Sequence, residues 1–203
     1  MKNYINGQWA ATTGSTEIAV INPRSEQALA HFIAASPHDV DAAVEAANQA
    51  LASWSNTSAA ERAAWLNKIA DALEQSKDKL VELSHHNNGK SISQAKVDVD
   101  NSIKCYRYYA DLVQKFAFSK TSQTDHGTEL THQQNPVGVV ALITPWNFPL
   151  ITSAWKIAPA LAAGCTLVFK PSELVPLPEL EFIKLLNQID FPQGVFNLVL
   201  GDA

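Results

Sequence analysis

At 203 residues, with 46% hydrophobic and 17% charged side chains, the chain has the composition of a folded globular protein large enough to bury a core in one or two domains. A formal charge of −5 without basic clusters argues against nucleic acid or an anionic membrane as partner, since both demand grouped Lys and Arg. No apolar run reaches membrane-spanning length, MKNYINGQWA lacks an apolar signal core, and Cys105 and Cys165 are too few for a disulfide framework, so a cytoplasmic location is expected.

Residues 4 to 22 predict a β arm. Tyr4-Ile5 and Gln8-Trp9 flank an Asn6-Gly7 turn, and a second run, Ile18 to Ile21, closes at Asn22-Pro23. Ser36-Pro37 supplies an N-cap and an N1 proline for a first helix, in which Val40, Val44, Ala47, Leu51 and Trp54 form the expected buried stripe. Ser58 and Glu61 form a capping box for a second helix, whose Trp65, Ile69, Leu73, Leu80 and Leu83 share a face until Asn87-Asn88-Gly89. A third helix runs from about Ser93 to Phe116. His85-His86 invites a metal reading, but adjacent helical residues diverge and no carboxylate or Cys recurs at ligand spacing, so no metal is expected. Both cysteines read as packing residues. The polar stretch Ser119 to Gln134 is either a linker or an exposed β-ribbon.

From Val137 onward the pattern changes. Val137 to Ile143 is a β-branched apolar run suited to a strand covered on both faces; Leu150 to Ala163 is helical and stops at Gly164; Thr166 to Phe169 is a second strand. Pro176 to Ile189 is again helical, Gln193-Gly194 turns, and Val195 to Leu200 is a third strand. Evenly spaced strand starts at Val137, Thr166 and Val195 mark repeated βα units, hence an α/β fold with a doubly wound parallel sheet.

Such sheets bind ligands outside the carboxyl ends of their strands, where Thr144 to Pro149 and Lys170 to Glu173 must lie. Lys170 and Glu173 flank Pro171-Ser172. A carboxylate there suits the two hydroxyls of a ribose and repels a 2′-phosphate, favouring NAD over NADP; alternatively it merely complements a helix N-terminus. The first loop lacks G-x-G-x-x-G. Pro145 and Pro149 stiffen it around Asn147, whose amide is either an oxyanion donor or a turn residue.

The runs TPWNFPL, AWKIAPALAAG, FKPSE and FPQGVFNLVLG, with YINGQW, INP, HDVDAAVEAA and NNGK upstream, resemble in order and spacing the N-terminal half of the cofactor domain of NAD(P)-dependent aldehyde dehydrogenases. The run KPSE, Gly164-Cys165 and CYRYYADL lean toward betaine-aldehyde or aminoaldehyde enzymes, although Phe148 stands where aminoaldehyde relatives often carry Tyr. Ser91 likewise replaces a common Pro, with little expected effect. The resemblance implies the N-terminal part of the aldehyde dehydrogenase fold, an incomplete doubly wound (Rossmann-like) parallel sheet with flanking helices and a protruding β-hairpin. Residues 1–118 would be the arm and packing helices, 119–135 an oligomerisation hairpin, and 136–203 the first half of an NAD-binding βαβαβ unit.

By the same resemblance Asn147 donates to the thiohemiacetal oxyanion, and Ile143, Thr144, Pro145 and Trp146 line the nicotinamide side. Lys170, Ser172 and Glu173 form the cofactor-binding turn, with Lys170 and Glu173 on the adenosine ribose, while Phe148 and Trp155 wall the aldehyde tunnel. The implied cofactor is NAD, the substrate an aldehyde such as betaine aldehyde or an aminoaldehyde, and the full-length assembly a homo-oligomer. The nucleophilic Cys, the general-base Glu and the Gly-Ser phosphate loop are expected beyond Ala203, so the isolated chain is expected to be inactive and the edge of its third strand open. The other readings are a non-catalytic nucleotide-binding module and a partner that inserts its open edge into a homologue.

Overall fold

The structure is a computed structural model that describes residues 1–202. Its main sheet contains β1 (Asn3–Ile5), β2 (Gln8–Ala10), β7 (Val139–Ile143), β8 (Thr166–Lys170) and β9 (Phe196–Leu198), in the order β2-β1-β9-β8-β7. The last three strands are parallel neighbours, as their spacing predicts. Two separate ribbons pair β3 (Glu17–Ile21) with β4 (Ala28–Ile33), and β5 (Ser119–Gln123) with β6 (Glu129–Gln133). The helices are α1 (Pro37–Ser55), α2 (Ala59–Gln75), α3 (Lys77–Asn88), α4 (Ile92–Lys115), α5 (Pro149–Ala162) and α6 (Leu177–Gln188).

Alternation along β8 divides the core. Leu167 and Phe169 point into the large cluster with Phe196, Leu198 and apolar residues of α2, α4, α5 and α6, while Val168 turns to the other face against Ala43 and Ala47 of α1. Parallel strands that step in one direction put both crossover helices, α5 and α6, on one face, and α1 is left to cover the other. Thr166, on the α1 side, anchors that helix by donating from Oγ1 to the Ala47 carbonyl at 2.9 Å.

Local signals hold well. Ser36 with Asp39 and Ser58 with Glu61 form complete capping boxes, and Ser91 caps α4 by accepting from the Gln94 amide. Asn6 and Gly7 both take positive φ, as a two-residue hairpin turn of that sequence requires. Asp39 also receives hydrogen bonds from the Thr13 amide and from the Thr12 and Thr13 hydroxyls, tying the arm to α1. Burial opposes its charge, yet the amides of Ser36 and Thr13 and the two hydroxyls outweigh burial and hold the carboxyl well below the usual range.

Four expectations are corrected. The 4–22 arm divides between two sheets, because β1 adds to the main sheet while β3 pairs with β4. The α1 stripe is rotated: Val40 and Val44 are exposed, and Ala43, Ala46, Ala47, Ala50 and Trp54 are buried, since small side chains let the helix lie close on the sheet. The second helix is two helices separated at Ser76. Lastly, among the parallel strands the open edge is that of β7 and not of β9, the other edge of the sheet being β2. Residue Tyr4 of β1 pairs with Leu198, and Asn3 Oδ1 accepts from the Leu200 amide at 2.9 Å, so β9 is covered. Strand β7 is therefore half exposed, with Ala141 and Ile143 facing solvent, and β8 is the strand buried on both faces.

Candidate nucleotide and oxyanion site

The carboxyl ends of β7 and β8 lie side by side. Ile143 is in register with Lys170, and the Thr144 amide continues the ladder by donating to the Lys170 carbonyl at 3.3 Å. The loop from Thr144 to Phe148 and the loop from Pro171 to Pro176 thus leave the sheet next to each other, as the sequence reading requires.

In the first loop Thr144 is buried, with its hydroxyl unpartnered, whereas Ile143, Pro145, Trp146 and Asn147 are exposed. Among the described residues the Asn147 side-chain amide has no hydrogen-bond partner, so it is free to donate outward. Its backbone is the opposite case. Asn88 Nδ2 donates to the Trp146 carbonyl at 2.6 Å, Lys90 Nζ donates to the Asn147 carbonyl at 3.0 Å, and Asp98 Oδ1 accepts from the Ile151 amide at 2.9 Å. Helix α5 starts at Pro149 with no side-chain cap of its own, and Asp98, reaching across from α4, satisfies an orphan amide of its first turn. Lys90 also pairs with Asp98 at 3.2 Å and sits 4.2 Å from the centre of the Phe148 ring.

The second loop is braced from the same place. Asn87 donates from Nδ2 to the Leu174 carbonyl at 3.1 Å and accepts at Oδ1 from the Leu177 amide at 3.0 Å. Asn87, Asn88 and Lys90, at the end of α3, therefore hold both loops. Between them Gly89 takes φ +80°, and a Cβ there would meet Pro23 Cγ at 2.6 Å, so only glycine makes this turn without displacing Pro23. His85, half of the His pair, donates from Nδ1 to the Lys90 carbonyl at 2.6 Å. No group of three metal-ligating side chains occurs among the described residues.

Ser172 is buried and accepts at Oγ from the Leu174 amide at 3.3 Å, so it shapes the turn between Lys170 and Glu173. Lys170 Nζ donates to the carbonyls of Pro171 and Gly201 at 3.2 and 3.1 Å, joining the ends of β8 and β9. Glu173 lies 3.8 Å from that ammonium, beyond hydrogen-bond length, and is 27% exposed, which leaves its oxygens available to ligand hydroxyls. Trp155 lines a groove between α4 and α5 with Asn101, Lys104 and Tyr108, whereas Phe148 packs under Lys90 instead. Cys105 is buried, which pushes its thiol up to about 11 and makes it inert at neutral pH; Cys165 is buried and unpaired too.

Sequence reasoning passed over Lys90, Asp98, Asn87 and Asn88 as site residues. The run NNGK was the only signal for Asn87, Asn88 and Lys90, and Asp98 had none. Burial raises Asp98 above the usual carboxylate range, with the Lys90 charge and the Ile151 amide partly offsetting it. Glu179 in α6 is wholly buried with both carboxyl oxygens unpartnered; burial, reinforced by the Asp98 charge, raises it well above its ordinary value.

These features define an α/β protein with two adjacent loops at the carboxyl ends of a parallel sheet, the position at which sheets of this kind bind ligands. Residues 9–203 match the aldehyde dehydrogenase family, and the chain belongs to that oxidoreductase family. It is 38% identical to aminoaldehyde dehydrogenase 2 of Solanum lycopersicum, across 98% of this chain and 40% of that protein. It is 40% identical to an aldehyde dehydrogenase of Emericella nidulans, across 98% and 40%. Among solved structures it resembles a mutant of aldehyde dehydrogenase C from Pseudomonas syringae in complex with NAD+ and octanal, with TM-score 0.93, 40% identity and coverage of 100% and 41%. It also resembles a point mutant of betaine aldehyde dehydrogenase from Staphylococcus aureus in complex with NAD+, with TM-score 0.94, 34% identity and coverage of 99% and 41%. The chain thus spans about two fifths of the length of these relatives, and its fold is that of their N-terminal region.

Proposed function

We propose that this chain supplies the oxyanion donor and the first part of the nucleotide crevice of an NAD-dependent aldehyde dehydrogenase that oxidises an aldehyde to a carboxylic acid. The observation that carries this reading is the Asn147 amide, free to donate outward from a backbone held at the carbonyls of residues 146 and 147 and at the amide of residue 151. A donor fixed beforehand stabilises developing negative charge without reorganisation. Glu173 and Lys170, on the turn shaped by Ser172, take the ribose hydroxyls, and Ile143, Thr144, Pro145 and Trp146 line the nicotinamide side. When bound, the nicotinamide supplies the hydride acceptor. The Glu173 carboxylate repels a 2′-phosphate, which favours NAD over NADP.

Trp155 and Tyr108 offer aromatic faces to a cationic aldehyde such as betaine aldehyde or an aminoaldehyde, and Lys104 beside them opposes it. Phe148 acts on the substrate side through the loop it shares with Asn147. Residues 1–118 serve as arm and packing helices, the exposed ribbon at 119–135 joins subunits of a homo-oligomer, and residues 136–203 begin the NAD-binding unit. A cytoplasmic location belongs to the same reading, supported by two unpaired cysteines. No helix among the described residues is long and apolar enough to cross a membrane, and some relatives are named peroxisomal or chloroplastic, so cell fractionation tests the compartment.

The direct experiment co-expresses the chain with the C-terminal portion of a relative that supplies the reactive thiol, and follows NADH formation from betaine aldehyde, aminoaldehydes and uncharged aldehydes. In that enzyme Asn147→Ala is expected to cost about 100- to 1,000-fold in turnover. Unchanged turnover overturns the oxyanion role.

A further inference from the structure

We propose that Lys90 is a positioning residue for the oxyanion donor: its ammonium, seated on buried Asp98, aims the Asn147 amide by holding the Asn147 carbonyl. The inference rests on the reading of Asn147 given above and adds the group that acts through it.

Lys90 has a side chain only 6% exposed, and Asp98 is 0% exposed. A buried ion pair is costly unless its remaining hydrogen-bonding capacity is used, and here it is used on a single target. Asp98 spends one oxygen on Lys90 and the other on the Ile151 amide, while Lys90 spends a second proton on the Asn147 carbonyl. The pair therefore grips the loop on both sides of Pro149, at residues 147 and 151. Phe148, between them, is clamped against the same ammonium. With the carbonyl of its own residue fixed, the Asn147 side chain keeps only its two side-chain torsions, and misplacing a catalytic group by about 1 Å costs on the order of 100-fold. The titratable groups coupled to Asp98 are Lys90 and, from α6, the buried Glu179.

Lys90→Met keeps the length of the side chain and removes the charge. In the 203-residue chain this variant is expected to retain its cooperative unfolding transition, while backbone order at residues 146–148, read by 15N relaxation, falls. In the reconstituted enzyme kcat is expected to fall about 10- to 100-fold with KM for the aldehyde nearly unchanged, and Lys90→Arg to recover part of the loss. The deciding readout is the double variant: in an Asn147→Ala background, Lys90→Met should cost nothing further. Should Lys90→Met fail to fold, Asn88→Ala loosens the same loop at the Trp146 carbonyl and is read the same way. An unchanged loop, or Lys90 and Asn147 losses that simply multiply, overturns the positioning role. Normal turnover in Asn147→Ala alone overturns the oxyanion reading itself, and the relaxation data still report whether Lys90 holds the loop.

Discussion

Glu179 shows what a single residue costs when it is wholly enclosed. Its folded pKa is raised above the ordinary 4.5, so the folded state keeps a proton that the unfolded chain releases once pH passes that value. Stability is therefore lost as pH rises from there, at roughly 1 kcal/mol per pH unit until the folded pKa is reached. Glu179→Gln cannot titrate, and its stability relative to the parent chain should climb with pH above 4.5 in urea unfolding; parallel curves would show that Glu179 is not held neutral. Asp39 has the opposite sign. Its folded pKa is depressed, so its contribution is full above about 4 and is lost as pH falls toward the folded value. The advantage of the parent chain over Asp39→Asn should accordingly be constant from pH 5 to 7 and shrink below pH 4. Neither property was legible along the sequence. Asp39 could be read as a helix-start acid, but its Thr12 and Thr13 partners belong to the arm, and Glu179 looks like any other acid in a helical first turn.

At the scale of elements, helix ends decide the geometry. Arg62, nearly buried in α2, donates from Nε to the Ala162 carbonyl at 2.8 Å and from Nη1 to the Thr57 carbonyl, so one guanidinium closes the C-terminal end of α5 and the turn before α2. Arg62→Ala should cost about 2 to 3 kcal/mol by leaving both carbonyls unpaired, seen as a lower urea midpoint at constant m. An unshifted midpoint would mean that water replaces the guanidinium without loss. Capping boxes at Ser36 and Ser58 were legible because Ncap and N3 lie in one turn of chain. The trans-cap of α5 by Asp98 was not, because its two partners are separated by 53 residues.

For the whole molecule, β7 leaves one edge of the parallel strands uncovered. Unpaired strand edges recruit other strands, so the chain by itself should self-associate with rising concentration. Ala141→Lys, which places a charge on that exposed strand, should shift sedimentation profiles toward monomer with the melting temperature unchanged. The same substitution at a covered strand, Val168→Lys in β8, should unfold the protein instead. Equal behaviour of the two variants would contradict the strand order.

What the residues alone determined is what depends on neighbours in the chain: the βα alternation, the parallel strands, the caps, the tight turns, and the two loops that leave the ends of β7 and β8 side by side. Which strand lies at the edge, which face of α1 is buried and what holds Asn147 were decided only in three dimensions. Val137 to Ile143 and Thr166 to Phe169 are equally apolar, yet one is half exposed and the other enclosed, because burial is conferred by the elements that pack alongside a segment and not by its own composition. Lys90 and Asn147 stand 57 residues apart, and no periodicity connects them. Their contact exists because α3 ends, α4 begins and α5 begins at one place beside the sheet.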